Sequence, residues 1–329
     1  MASFFVVLVG LSFLVLIHEL GHFAAAKFFG MQVEEFGIGF PPRLFSRKIG
    51  ETRYSVNALP LGGFVRLHGE IKDAGADSFV RAAAWKRAIV LAAGVVMNFL
   101  AGWFIFSAVF WIGSPKVLFV DQVAPGSPAA VAGLMQGDMV LGFADAPAFI
   151  AYVAAHKGKE IVFDISRAGR DMRIAVTPRL RAVPGEGSLG VGLTDGGAPR
   201  EGFFAGIMHG LYAAAYMAWS VVLGLGSLVT SPQSVAGPVG IFTIAIGAGK
   251  IGLAYVLQLL GVISLNLAVL NLLPIPALDG GRLVFMLAEK LRGRKFGAHA
   301  EERAHAFGFA FLMLVVAAVT FKDIAGLLS

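Results

Sequence analysis

Residues 3–29 read SFFVVLVGLSFLVLIHELGHFAAAKFF. The run is apolar and long enough to cross a bilayer, for which about 20 residues suffice. Its second half nevertheless carries His18, Glu19 and His22. Each ionisable side chain at that depth costs about 2.5–3.5 kcal/mol on insertion scales. So dense a cluster calls for a compensating partner, and a divalent cation is the simplest. Helix positions four apart share a face, so His18 and His22 can turn both imidazoles towards one ion. Glu19, next along, is then placed as a general base. His-Glu-x-x-His on a helix is the arrangement of zinc-dependent peptidases. The segment lacks a basic start and outruns the apolar core of a cleavable leader, so it is expected to remain as a membrane helix.

The remainder of the chain agrees with a membrane protein. Of its 329 residues 57% are hydrophobic and 15% charged, where soluble domains carry about 25% charged residues. Further apolar stretches lie at Ile89–Ile112, Phe203–Val229, Leu253–Leu273 and Phe307–Phe321. The net charge of +6 fits basic cytoplasmic loops rather than nucleic-acid binding. The absence of cysteine excludes a disulfide scaffold, Cys-ligated zinc, iron–sulfur clusters and thiol catalysis.

Between the apolar stretches, Gly30–Arg87 holds nine Lys/Arg and alternating segments such as Gly63–Leu67, which read as strands and turns. Lys116–Arg200 is long enough for one small domain. Within it, Val117–Val123 and Met139–Phe143 read as strands and Phe149–His156 as a helix. Ser127 is placed to cap a short helix. Ile161–Arg167 and Met172–Thr177 flank a hairpin turn at Ala168-Gly169. The string AGLMQGDMV, residues 132–140, resembles that of a bacterial PDZ domain, a fold that binds chain ends or extended segments by strand addition. The expected fold is a polytopic α-helical membrane protein with about four spanning helices, a membrane-associated β-hairpin region and one inserted PDZ-like α+β domain. Residues 1–112 would form the first part of the membrane core and 116–181 the PDZ-like domain. Residues 182–252 would be a linker with a membrane-associated or re-entrant helix, and 253–329 the second part of the core.

Zinc needs a third protein ligand. His68, His156, His299 and His305 lie in polar segments and His209 sits alone near a helix start, so surface or locally bonded roles suit all five. Asp279 is better placed, in NLLPIPALDGG at 271–281. Pro274 and Pro276 cannot continue a helix, and irregular backbone at membrane depth is tolerated only where it is buried in protein or lines a wet cavity. An acid just past such a break is a functional candidate.

With HELGH in the first apolar segment, the PDZ-like insert and NxxPxPxxDGG in a late one, the chain resembles the site-2 protease family of intramembrane zinc metalloproteases. Gly62–Leu67, Asn98-Phe99-Leu100 and Gly237–Ile241 extend the likeness to nearly the whole chain. The resemblance implies one zinc ion per chain held by His18, His22 and Asp279, with Glu19 as the catalytic acid/base. It also implies that Asn271 handles substrate and that Gly63, Phe64 and Val65 belong to a membrane-associated hairpin contacting it. Substrates would be single-pass membrane proteins, such as anti-sigma factors or signal-peptide remnants, cut within the lipid bilayer of a bacterial inner membrane. No nucleic acid is implied. The insert has room for only one PDZ domain, where some relatives carry two.

Topology is constrained independently. His22 lies late in the first helix and Asp279 past the end of Leu253–Leu273, so both helices must run in one direction to meet at one depth. Phe203–Val229 should then make no net crossing. The basic segments Gly30–Arg87 and Arg282–Arg303 share the cytoplasmic side, as the positive-inside rule prefers, with the active site towards it and the PDZ-like domain outside. Two other readings use the same residues: a membrane zinc transporter or sensor, and a non-catalytic PDZ scaffold. Transport favours a polar path, and Ile89–Ile112 offers only Asn98 and Ser107. A scaffold has no need of Glu19.

Overall fold

The computed structural model describes residues 2–70, 75, 77–167, 170–183, 185–226, 237–294 and 296–328. Along the chain run α1 (Ala2–Phe28), β1 (Val33–Ile49), β2 (Thr52–Leu67) and α2 (Ala84–Ile112). Next come β3 (Val117–Val123), α3 (Pro128–Val131), β4 (Met139–Val140), α4 (Ala146–Ala155), β5 (Ile161–Arg167), β6 (Arg170–Val176) and β7 (Val191–Gly196). The last five are α5 (Phe203–Gly224), α6 (Pro238–Ile251), α7 (Leu253–Asn271), α8 (Asp279–Arg292) and α9 (Ala298–Leu328). The expected turn at 168–169 and the end of the apolar stretch at 227–229 lie outside the described residues. The chain divides into two compact units, residues 1–107, 207–241 and 257–329 in one and 108–206 and 242–256 in the other.

The first unit is built on apolar helices. Among the described residues, α1, α2, α5, α7 and α9 are each long and apolar enough to cross a membrane. In α9 almost none of the apolar stretch is buried against protein. Phe307, Phe309, Phe311 and Leu314 are exposed there, an apolar surface of the kind that meets lipid or a protein partner. In contrast, half of the apolar stretch of α7 is buried, which makes α7 the inner helix. Leu260 and Ile263 of α7 cluster with Leu14 of α1, and Leu265 of α7 with Phe106 of α2 and Ala214 of α5. The Trp103 indole donates to the Ile207 carbonyl at 3.0 Å, so α5 returns alongside α2.

Strands β1 and β2 form the expected hairpin, longer and more folded than the short strands anticipated. Phe45–Ile49 pairs with Thr52–Val56 as a simple antiparallel hairpin, while Phe36, Gly37 and Ile38 each face two partners: Val65 and Tyr54, Phe64 and Ser55, Gly63 and Val56. The ribbon therefore doubles back on itself, leaving Gly63–Leu67 paired on one side. That arm lies along α1. Ser12 Oγ donates to the Pro60 carbonyl at 2.5 Å, and a Cβ on Gly62 would stand 2.8 Å from Val15. Gly62 also has a φ of +114°, so the glycine meets both a steric and a conformational demand there.

The second unit holds a five-stranded sheet in the order β6-β5-β4-β3-β7, closed over Leu118, Phe149, Ile165 and their neighbours. Ser127 caps α3 as expected, accepting from Ala130 N. Buried Asp138 accepts a two-pronged bond from Arg167, both distances 2.7 Å. Three expectations are corrected. The expected strand Met139–Phe143 stops at Val140, just before Gly142 turns left-handed at φ +84°. Helix α4 starts at Ala146 because Asp145 caps it, accepting from Ala148 N at 2.9 Å. The domain does not end at 181: β7 pairs along β3 as an edge strand, six residues with two glycines that gave no strand signal. Likewise α6, inside the expected linker, forms a 14-residue helix.

Candidate metal centre and active site

Helix α1 turns His18 and His22 to one side, their Nε2 atoms 3.1 Å apart. Both rings are buried, at 8% and 9% exposure. The His22 Nδ1–H donates to the Val90 carbonyl of α2 at 2.8 Å, which fixes the tautomer and leaves the Nε2 lone pair free. Glycines make the approach of α1 and α2 possible. A Cβ on Gly94 would stand 2.6 Å from His18 Cε1 and 2.6 Å from His22 Nε2, and one on Gly21 would stand 2.5 Å from the Ala93 carbonyl oxygen.

Asp279 arrives from the other side of the first unit. Helix α7 ends at Asn271, and the chain unwinds through Pro274 and Pro276 before α8 begins at Asp279 itself. Ala277, between them, has a φ of +85°, the one positive φ outside glycine among the described residues. Its N–H donates to His305 Nδ1 of α9 at 2.8 Å. Gly280 and Gly281 bring the first turn of α8 against the break, where any Cβ would stand 2.2 Å from the Leu272 or Ile275 carbonyl oxygen. The result sets Asp279 Oδ2 3.1 Å from His18 Nε2 and 3.4 Å from His22 Nε2.

These three atoms suit a zinc ion. Ligands about 2.0–2.1 Å from a tetrahedral centre lie about 3.3–3.4 Å from one another, close to the spacing seen. Asp279 Oδ2 is buried without a hydrogen-bond partner, a costly state for a carboxylate oxygen unless a cation completes the set. Among the described residues these three are the one group of His, Asp and Glu able to hold a metal ion.

Glu19 and Asn271 line the same cavity, of about 310 Å³. Glu19 Oε2 accepts from Val65 N at 3.0 Å, so the hairpin arm holds the carboxylate by its backbone. Of the three expected hairpin residues Val65 reaches the cavity. Gly63 instead packs where a Cβ would meet the Gly37 carbonyl and Leu16, and Phe64 covers Gly37 and stacks on Phe40. Arg282, one turn after Asp279, also lines the cavity and bonds Glu70. Of the other histidines, His68 bonds Glu34 of β1 and His156 bonds the Tyr152 carbonyl one turn back. His305 is the surprise, a residue expected at the surface that braces the break before Asp279. Neither it, nor Gly94, nor the Val90 carbonyl left any signal in the sequence, because each acts through a neighbour distant in the chain.

Comparison with known proteins gives a consistent match. The family described as Peptidase family M50 matches residues 6–315. Zinc metalloprotease RasP of Geobacillus kaustophilus is 30% identical, with 94% of this chain and 95% of that protein covered. The regulator of sigma-W protease RasP of Bacillus subtilis is 28% identical over 94% of this chain and 95% of its own length. Zinc metalloprotease RasP of Bacillus licheniformis is 30% identical over 94% and 96%.

Proposed function

Since this chain belongs to peptidase family M50, we propose that His18, His22 and Asp279 hold its zinc and that Glu19 is its acid/base. The protein is an intramembrane zinc metalloprotease of the site-2 type, a multi-pass membrane protein acting on membrane-protein substrates. The observation that carries the ligand assignment is the buried Asp279 Oδ2, which makes no hydrogen bond and faces two imidazole Nε2 atoms at 3.1 and 3.4 Å.

Bound zinc supplies Lewis acidity and lowers the pKa of water towards about 7. The chain's own groups do the rest. Glu19 takes a proton from the attacking water and returns it to the leaving nitrogen. The Val65 N–H keeps the carboxylate in the cavity without using both of its oxygens. Asn271 presents an amide able to donate to a substrate carbonyl. A helical substrate hides its carbonyls in the i to i−4 ladder and must unwind. The arm Gly63–Leu67, paired on one side, offers an edge on which the unwound segment can add as a strand. In this reading Val65 contacts substrate, while Gly63 and Phe64 shape the arm.

Four helices, α1, α2, α7 and α9, cross fully. Helix α5 is long enough to do so, but α6 after it spans only about 21 Å at 1.5 Å per residue, short of a hydrocarbon core of about 30 Å. His22 and Asp279 meet at one depth only if α1 and α7 run parallel, so α5 and α6 together make no net crossing and α5 lies in or re-enters the membrane without spanning it. The basic α1–α2 and α8 segments then lie on the cytoplasmic side of a bacterial inner membrane. The five-stranded domain is PDZ-like and extracytoplasmic, and substrates are single-pass proteins. Metal analysis of the purified protein tests the ligand set. The wild type should carry about one zinc per chain and Asp279→Ala should lose it. Full zinc occupancy in Asp279→Ala would overturn the assignment.

A further inference from the structure

We infer that Asn98 is a positioning residue for the metal centre, its side-chain oxygen accepting from His18 Nδ1–H and so presenting His18 Nε2 to the ion. The inference rests on the proposal that His18 is a ligand.

Asn98 lies on α2 one turn beyond Gly94, on the same face. It is wholly buried at 0% exposure, in a helix whose neighbouring residues are apolar. Its backbone carbonyl accepts from Ser264 Oγ of α7 at 2.7 Å, and Ser264 is also at 0% exposure. The residue is thereby fixed between three helices. Its amide stands 3.3 Å from His18 Nδ1, with Nδ2 towards the ring, and Oδ1 is buried with no hydrogen-bond partner.

The chemistry of the ligand set decides which amide atom belongs there. A histidine that offers Nε2 to a metal carries its proton on Nδ1 and needs an acceptor there. For His22 that acceptor is the Val90 carbonyl. For His18 the group at Nδ1 is the Asn98 amide. A half-turn of the amide exchanges Nδ2 for Oδ1 in nearly the same shape. The turn gives His18 Nδ1–H its acceptor and gives the orphaned oxygen its donor. Gly94 and Asn98 thus play complementary parts. The first lets both rings lie against α2, and the second sets the tautomer of one of them.

The test measures zinc affinity by chelator competition in the full-length protein, alongside thermal unfolding of the zinc-free form. Asn98→Leu keeps the approximate volume and removes the acceptor, and should weaken zinc binding by about 10–100-fold. Asn98→Asp keeps an acceptor and should return affinity to the wild-type range, a rescue that a packing role would not give. Equal affinity in wild type and Asn98→Leu, or equal losses in the Leu and Asp variants, would overturn the inference. His18→Ala separates the two readings: if it binds zinc as well as wild type, the ligand assignment fails, whatever Asn98 does. If Asn98→Leu does not fold, nitrogen spectra of ring-labelled histidine in the zinc-loaded wild type decide. A His18 Nδ1 that is protonated and hydrogen-bonded to the Asn98 side-chain oxygen supports the inference; one that is unprotonated, or protonated without that bond, refutes it.

Discussion

At Gly94 the lack of a side chain lets two imidazoles lie against α2. A methyl group there would fall 2.6 Å from atoms of both His18 and His22, and His22 cannot yield without leaving the Val90 carbonyl. Gly94→Ala should therefore lower zinc affinity about tenfold or more while the helices still form, checked by chelator competition and circular dichroism. Unchanged affinity would mean that the rings have room to shift. This residue shows the limit of sequence reasoning. His18, Glu19 and His22 were legible because three ionisable groups in an apolar helix are costly alone. Asp279 was legible because two prolines break the preceding helix. Gly94, one of 42 glycines, gains its meaning only from what stands opposite it.

Among the elements, the hairpin carries its own electrostatic anchor. Glu35, 2% exposed, accepts from Arg43 Nη2 at 2.8 Å and from Ser55 Oγ at 2.7 Å, with Arg66 at 3.8 Å. Burial alone would raise its pKa, but the Ser55 hydroxyl and the Arg43 and Arg66 charges outweigh it, and the carboxyl sits below its usual 4.5. A depressed carboxylate stabilises the fold above its unfolded pKa, and that contribution is lost as pH falls through the folded value. Amide exchange in Phe36–Ile38, corrected for intrinsic rate, should thus show protection that is full at neutral pH and declines only on the acid side of about 4.5. Glu35→Gln should lower protection at neutral pH and flatten that decline. An equally steep acid decline in the variant would remove Glu35 as its cause. The sequence announced strands here by alternation and by Gly62-Gly63, but not that one ribbon would double back, because pairing partners are a property of register.

For the whole molecule, the apolar stretches, the break before Asp279 and most of the sheet domain were visible in the sequence, since each is encoded locally by composition or turn residues. Strand β7 and helix α6 were not: the first is too short and glycine-rich to carry a periodic signal, and the second is an apolar run too short to read as a span. Together they move the sheet domain's end to 196 and supply the second leg of the proposed α5–α6 excursion. All the groups assigned to the metal and to proton transfer fall in the first unit. Their division of labour is open to one paired experiment, zinc content and cleavage of a model transmembrane substrate in wild type and Glu19→Gln. About one zinc per chain is expected in both proteins, with cleavage in the wild type and none detectable in the variant. Near-normal turnover by Glu19→Gln, or loss of its zinc, would contradict the role of Glu19 as a base that is not a ligand.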